Sequence, residues 1–184
     1  MNQLPQPIFP PSLSESLARA DLAAEAFDWS APEGMPEPAR SLLVHDRDMT
    51  STLERHHGDA ITLEVLVSGE AIGHYFREVI LRTARAGTPV EFGLIEIELQ
   101  SFPEDLRARI LSGNEPLGGI LNESGLPYRS SPIGYFSVAR ERLPTKLSVL
   151  GTDPRFFGRY NQLSTAEGAC LARIIEILPS SPHP

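Results

Sequence analysis

At 184 residues, with 41% hydrophobic and 22% charged residues, the chain suits one globular domain large enough to bury a core. Sixteen Lys and Arg against 24 Asp and Glu give a net charge of −8, which argues against a nucleic-acid surface but leaves room for a small anionic ligand held by a few arginines. The apolar runs are too short to span a bilayer, Met1–Pro5 lacks a signal-peptide pattern, and the single cysteine, Cys170, excludes a disulfide framework and offers no metal cluster, so the expected setting is cytoplasmic.

In chain order, residues 1–11 carry Pro5, Pro7, Pro10 and Pro11 and read as an irregular arm. Ser12–Phe27 reads as a helix with Ser14 as a possible cap, and a Pro-rich break leads to a short helical piece near Ala39–Val44. Residues 1–40 are thus expected to wrap a domain spanning 41–179, with 180–184 a frayed tail. Asp48–Glu54 looks like a helix start, with Ser51 and Glu54 at capping-box spacing and Met49 at the helix mouth, where free backbone N–H groups can receive an anion. His56 and His57 are neighbours that point apart on a helix, and no third ligand lies at a useful spacing.

Three strands follow, Ala60–Val67, a stretch around Tyr75–Leu81 bounded by Gly73 and Gly87, and Val90–Leu99. Short Gly-containing links make them antiparallel hairpins. Phe102–Leu111 and Glu115–Leu121 are two short helices joined at Ser112-Gly113, a pair suited to a flap over a sheet face. Strands from Ser131 or Ile133 to Arg142, Phe157–Leu163 and Cys170–Leu178 bring the expected count to six.

Two of these strands carry the same anomaly. Side chains alternate across a strand, so Tyr75, Arg77, Val79 and Leu81 share one apolar face interrupted by an arginine. Cys170, Ala172, Ile174, Glu176 and Leu178 share another, interrupted by a carboxylate. A buried guanidinium needs an anion, which either the protein or a ligand supplies. Arg77 and Glu176 either form structural ion pairs or face one cavity. In the cavity, Arg77 would grip a ligand carboxylate while Glu176, desolvated and with a raised pKa, donates to a hydroxyl or moves a proton. Arg155, Arg159 and Arg173 add local positive charge, and Arg159 is the one of interest.

The ordered set Asp48-Met49-Thr50 with Leu53-Glu54, Arg77-Glu78-Val79-Ile80-Leu81, Glu115-Pro116-Leu117-Gly118, Gly158-Arg159 and Glu176-Ile177-Leu178-Pro179 resembles the chorismate lyases over about residues 40–179. The resemblance implies an α+β fold: a single domain with a six-stranded antiparallel sheet, flanking helices and a helix-turn-helix flap over a buried pocket. It also implies a cofactor-free elimination that turns chorismate into 4-hydroxybenzoate, or a related hydroxybenzoate, and pyruvate. By resemblance, Arg77 grips the ring carboxylate with help from the amides of Met49 and Leu117, Gly93 lines the pocket, and Glu176 meets the hydroxyl end. Arg77 and Glu176 are then the catalytic residues, and Met49, Arg77, Gly93, Leu117 and Arg159 bind the substrate.

One departure concerns the second clamp. Where well-studied members carry an arginine after the pocket glycine, Leu94 follows Gly93, so either Arg159 or Arg82 replaces that cation or the substrate differs. The alternative reading is a non-catalytic module that binds an aromatic acid, as the same fold does in the effector domains of transcription regulators. Residues 1–45 contain no helix-turn-helix DNA reader. The expected partner is a small aromatic carboxylate, with no nucleic acid, no membrane span, no metal and a monomeric or weakly dimeric state.

Overall fold

Alternating apolar residues build one antiparallel sheet in a computed structural model that describes residues 6–71 and 74–179. Its strands are β1 (Phe27–Ser30), β2 (Ile61–Ala71), β3 (His74–Thr83), β4 (Pro89–Ile97), β5 (Tyr128–Ala139), β6 (Arg155–Thr165) and β7 (Cys170–Leu178), in the order β1-β5-β6-β7-β4-β3-β2. The expected Gly73 boundary, the first residues of the arm and the tail 180–184 lie outside the described residues.

The sheet has seven strands, not six. The helix expected over Ser12–Phe27 stops early: α1 covers Pro11–Arg19, and its N-cap is Pro10 rather than Ser14. Asp21 then turns the chain at φ 59°, and Phe27–Ser30 pairs with Tyr135–Val138 as β1. Aromatic packing favours this over continued helix. The Phe27 ring lies 4.3 Å from that of Phe136, and Trp29 meets Phe136 edge-on at 5.2 Å.

Each sheet face is covered differently. One face presents Ile80, Phe92, Leu94, Ile175 and Ile177 to Leu13 and Leu17 of α1. Its charges are matched: Glu96 accepts from Ser12 Oγ at 3.0 Å and Ser16 Oγ at 2.9 Å, and Glu78 meets Lys146 Nζ at 2.6 Å. The other face carries two helical clusters. Toward one end lie α4 (Glu104–Ser112) and α5 (Leu117–Ser124), packed on Tyr75, Ile95, Ala172 and Ile174. Toward the other lie α2 (Ala39–Leu43) and α3 (Met49–His57), packed on Leu81, Val90 and Leu178. The gap between these clusters is where a cavity opens. Among the described residues, no helix is long and apolar enough to cross a membrane.

One backbone approach fixes the middle of the sheet. A Cβ on Gly158 of β6 would collide with the Glu176 carbonyl oxygen and sit 2.5 Å from the Phe136 ring. Gly158→Ala is therefore expected to destabilise the protein by about 3 kcal/mol. The check is a lower urea midpoint at unchanged slope.

Candidate functional site

The cavity contains about 520 Å³ of unfilled space, part of it opening to solvent. Its floor follows from register. Arg77 stands beside Ile95, Val79 beside Gly93 and Leu81 beside Glu91 across β3 and β4, while Gly93 faces Glu176 and Ile95 faces Ile174 across β4 and β7. Met49, Thr50, Pro116, Leu117 and Gly118 form the roof. The structure thus places Arg77, Gly93, Glu176, Met49 and Leu117 around one cavity, and leaves Arg159 outside its lining. Gly93 matters as a missing side chain: a Cβ there would sit 3.1 Å from Val79 Cγ2 and fill floor space.

Arg77 is 1% exposed and forms no ion pair with any described residue. Its Nη1 donates to Ile110 O at 3.4 Å and its Nη2 to Glu115 O at 3.3 Å, both long bonds, and its buried Nε–H has no partner. Ile110 lies in the last turn of α4, so the negative end of that helix faces the cation. Even so, burial pushes the guanidinium below its ordinary pKa, with the nearby Tyr75 working the other way.

Glu176 is spoken for. It forms a buried ion pair with Arg159 through Nε, with a second contact from Nη2 at 3.4 Å. Arg159 also donates to the carbonyls of Leu43 (3.0 Å), His45 (3.1 Å) and Arg47 (3.3 Å). Every N–H of this fully buried arginine has an acceptor, so it has none to offer a ligand. The same network holds His45 neutral. Burial and the Arg159 charge lower its pKa to about 4, and its Nδ1 accepts from Arg47 N.

Burial pushes the Glu91 carboxyl toward its neutral form. Burial raises its pKa well above the ordinary carboxyl value, the Glu176 and Asp48 charges add to the rise, and Arg159 opposes it. Glu91 lines the cavity, and its buried Oε2 has no hydrogen-bond partner. The sequence held the signal that finds it: Glu91, Gly93, Ile95 and Ile97 form an apolar strand face with one charge, the same pattern that marks Arg77 and Glu176.

The helix mouths are unequal. Asp48, not the Ser51–Glu54 box, caps α3: its carboxylate accepts from Ser51 N at 2.8 Å and Ser51 Oγ at 2.6 Å. Glu54 instead accepts from Ile61 N at 3.4 Å. Burial works against the Asp48 charge, but hydrogen bonds from Ser51, Asn122 and Tyr128 outweigh it and hold the pKa below its ordinary value. The mouth of α3 therefore already holds an anion. No side chain caps α5, whose first residue is Leu117. The two mouths touch at Gly118, where a Cβ would sit 2.7 Å from Asp48 Oδ1 and 2.9 Å from Thr50 Oγ1. Asn122 Nδ2 ties α5 to Asp48 at 3.1 Å, and Arg109 joins α4 to Glu115 and, at 2.7 Å, to Glu123.

The second-clamp candidates fall away. Leu94 is turned to the opposite face, buried under α1, because alternation sends it away from Gly93. Arg82 lies at the strand end, bound to Glu64 at 2.6 Å and Gly87 O at 3.0 Å. Arg77 is the one arginine lining the cavity among the described residues.

No protein-family model matches the chain, and no curated protein matches it. Among solved structures, PhnF from Mycobacterium smegmatis is similar at TM-score 0.55 and 12% identity, over 74% of this chain and 65% of that one. The chain thus spans just under two thirds of PhnF. The effector-binding domain of the B. subtilis trehalose repressor TreR is matched more loosely, at TM-score 0.41 and 11% identity over 64% of this chain and 90% of that one. The likeness to PhnF shows the fold alone, a single α+β domain on one large antiparallel sheet with flanking helices.

Two stability measurements probe these charges. Arg77→Met removes a buried cation that lacks an anion, so the ligand-free protein is expected to gain about 1–3 kcal/mol; a loss of stability would mark Arg77 as a structural element. Folded Glu91 keeps its proton at pH values where the unfolded chain has released it. Its stabilising contribution is full below the ordinary value of 4.5 and falls as pH rises toward the folded-state pKa. Glu91→Gln should therefore melt progressively higher than the native protein as pH is raised above 4.5, and a constant gap would contradict the assignment.

Proposed function

We propose that this chain binds a small organic monocarboxylate in the cavity without turning it over, with Arg77 as the clamp. The observation that carries the reading is a buried guanidinium with no carboxylate partner and a free Nε–H, facing an apolar cavity roofed by the uncapped mouth of α5. A ligand carboxylate would supply the missing anion in a forked, charge-assisted hydrogen bond. The amides of Leu117 and Gly118 would meet it from above.

Elimination on chorismate takes second place for two physical reasons. A dianion needs a second cation, but Arg159 has its donors engaged elsewhere and Arg82 lies at the strand end, outside the cavity lining. The proton acceptor assigned by resemblance, Glu176, is locked to Arg159 by an ion pair. Capture of a monoanion needs neither.

Calorimetric titration with benzoate and 4-hydroxybenzoate, beside incubation with chorismate while pyruvate is followed, tests the reading. Binding that weakens about tenfold to a hundredfold in Arg77→Met, with no pyruvate released, is the expected result. Pyruvate release that depends on Glu176 would restore the lyase, and acid binding indifferent to Arg77→Met would remove the clamp.

A further inference from the structure

Resting on that reading of the cavity, we infer that Glu91 is the residue that selects the ligand: a protonated side chain donating a hydrogen bond to an uncharged oxygen at the end of the acid remote from its carboxylate. The first support is position. Arg77 and Glu91 lie on the same face of adjacent strands, and their register partners on the opposite strand, Ile95 and Leu81, place them four residues apart. At a rise of about 3.3 Å per residue their backbones stand about 13 Å apart along the floor. Glu91 Oε1 reaches back over Gly93, 3.5 Å from where a Cβ there would sit, so the span between the two polar groups is shorter and within reach of a ring carrying a carboxylate at one end and an oxygen substituent at the other.

On β3 and β4 the floor between them is apolar or empty, with Glu176 beside Gly93 on β7 held by Arg159. Val79, Gly93, Ile95 and Leu81 offer no polar side-chain atom, so a flat ring can lie on them with its polar ends directed at Arg77 and Glu91. The second support is the unsatisfied group. Glu91 is 3% exposed, its Oε2 makes no hydrogen bond, and it lines the cavity rather than packing into a closed core. Leaving a buried carboxyl unpartnered costs free energy that a suitable ligand oxygen would return.

The third support is exclusion. Each other carboxylate lining the cavity is already engaged, Glu176 by Arg159 and Asp48 by Ser51, Asn122 and Tyr128. Asn161 is likewise bonded to Ser130, at 3.0 Å. Of the carboxylate and amide side chains lining the cavity, that leaves Glu91 without a partner, at the end of the floor away from Arg77. The groups facing it are Glu176 from β7, Asp48 from the start of α3 and Arg159 from β6, and the two carboxylates among them favour the protonated form.

The test is titration at pH 7 with three acids of one scaffold: benzoate, 4-acetylbenzoate and 4-(aminomethyl)benzoate. The native protein should bind 4-acetylbenzoate about threefold to tenfold tighter than benzoate, the size of one hydrogen bond. In Glu91→Leu that preference should vanish, so that 4-acetylbenzoate and benzoate bind alike. Glu91→Gln, which retains a donor and nearly the same shape, should keep most of the preference and guards against a leucine variant that does not fold. The inference is overturned if Glu91→Leu keeps the preference or Glu91→Gln loses it. It is equally overturned if 4-(aminomethyl)benzoate binds tightest, since Glu91 would then be an ionised partner for a cation. Benzoate held through Arg77 with no Glu91-dependent preference sinks this inference alone, whereas benzoate binding unaffected by Arg77→Met, or no binding of any of the three acids, sinks the underlying reading as well.

Discussion

A guanidinium withdrawn from water must be given oxygens, and this chain meets that constraint twice in opposite ways. Arg159 has an acceptor for every N–H, including both oxygens of Glu176 and the three carbonyls of the 43–47 segment. It stitches the link between α2 and α3 to the sheet and acts as structure. Arg77 has two long bonds to carbonyls of the α4–α5 region and a bare Nε–H. The desolvation cost offset at one site is left standing at the other, and an uncompensated buried charge is the more demanding state.

The contrast gains weight from the rest of the sheet. Glu78 has Lys146, and Glu96 has two hydroxyls of α1. Among the described buried carboxylates and guanidiniums of the sheet, Arg77 and Glu91 are the ones left with an unpartnered atom, and both line the same cavity. Strain of this kind is retained at sites that something else completes.

Much of this was open to reading from the residues, and its limits are instructive. Strand alternation located Arg77 and Glu176 on apolar faces, and the two short helices between Phe102 and Asn122 appear as α4 and α5. Two kinds of information were out of reach. Register across distant strands decides that Glu176 meets Arg159 rather than Arg77, and nothing local encodes the pairing of β6 with β7. The strand Phe27–Ser30 is four residues long and is fixed by aromatic contacts with Phe136, so tertiary packing overrode a helical pattern in Ala23–Phe27. Glu91 differs: its alternation was as visible as that of Arg77, but the resemblance drew attention to Gly93 two residues later. The Asp48 cap was equally visible, and Ser51 with Glu54 offered a competing pattern of the same spacing.

The strand order carries a consequence for how the molecule assembles. β2, β3 and β4 follow one another as a meander, as do β5, β6 and β7, and only the ladder of Phe92–Ile97 with Ala172–Ile177 joins the two. Hairpins close short loops at low entropic cost, whereas this ladder must close a loop containing α4, α5, β5 and β6, at a larger cost. The cavity straddles that junction, with Arg77, Glu91 and Gly93 on one meander and Asn161, Ile174 and Glu176 on the other. A molecule lying across it touches both halves at once and binds only when they are joined. By mass action its presence holds the two meanders together, so occupancy of the cavity and integrity of the sheet become one equilibrium.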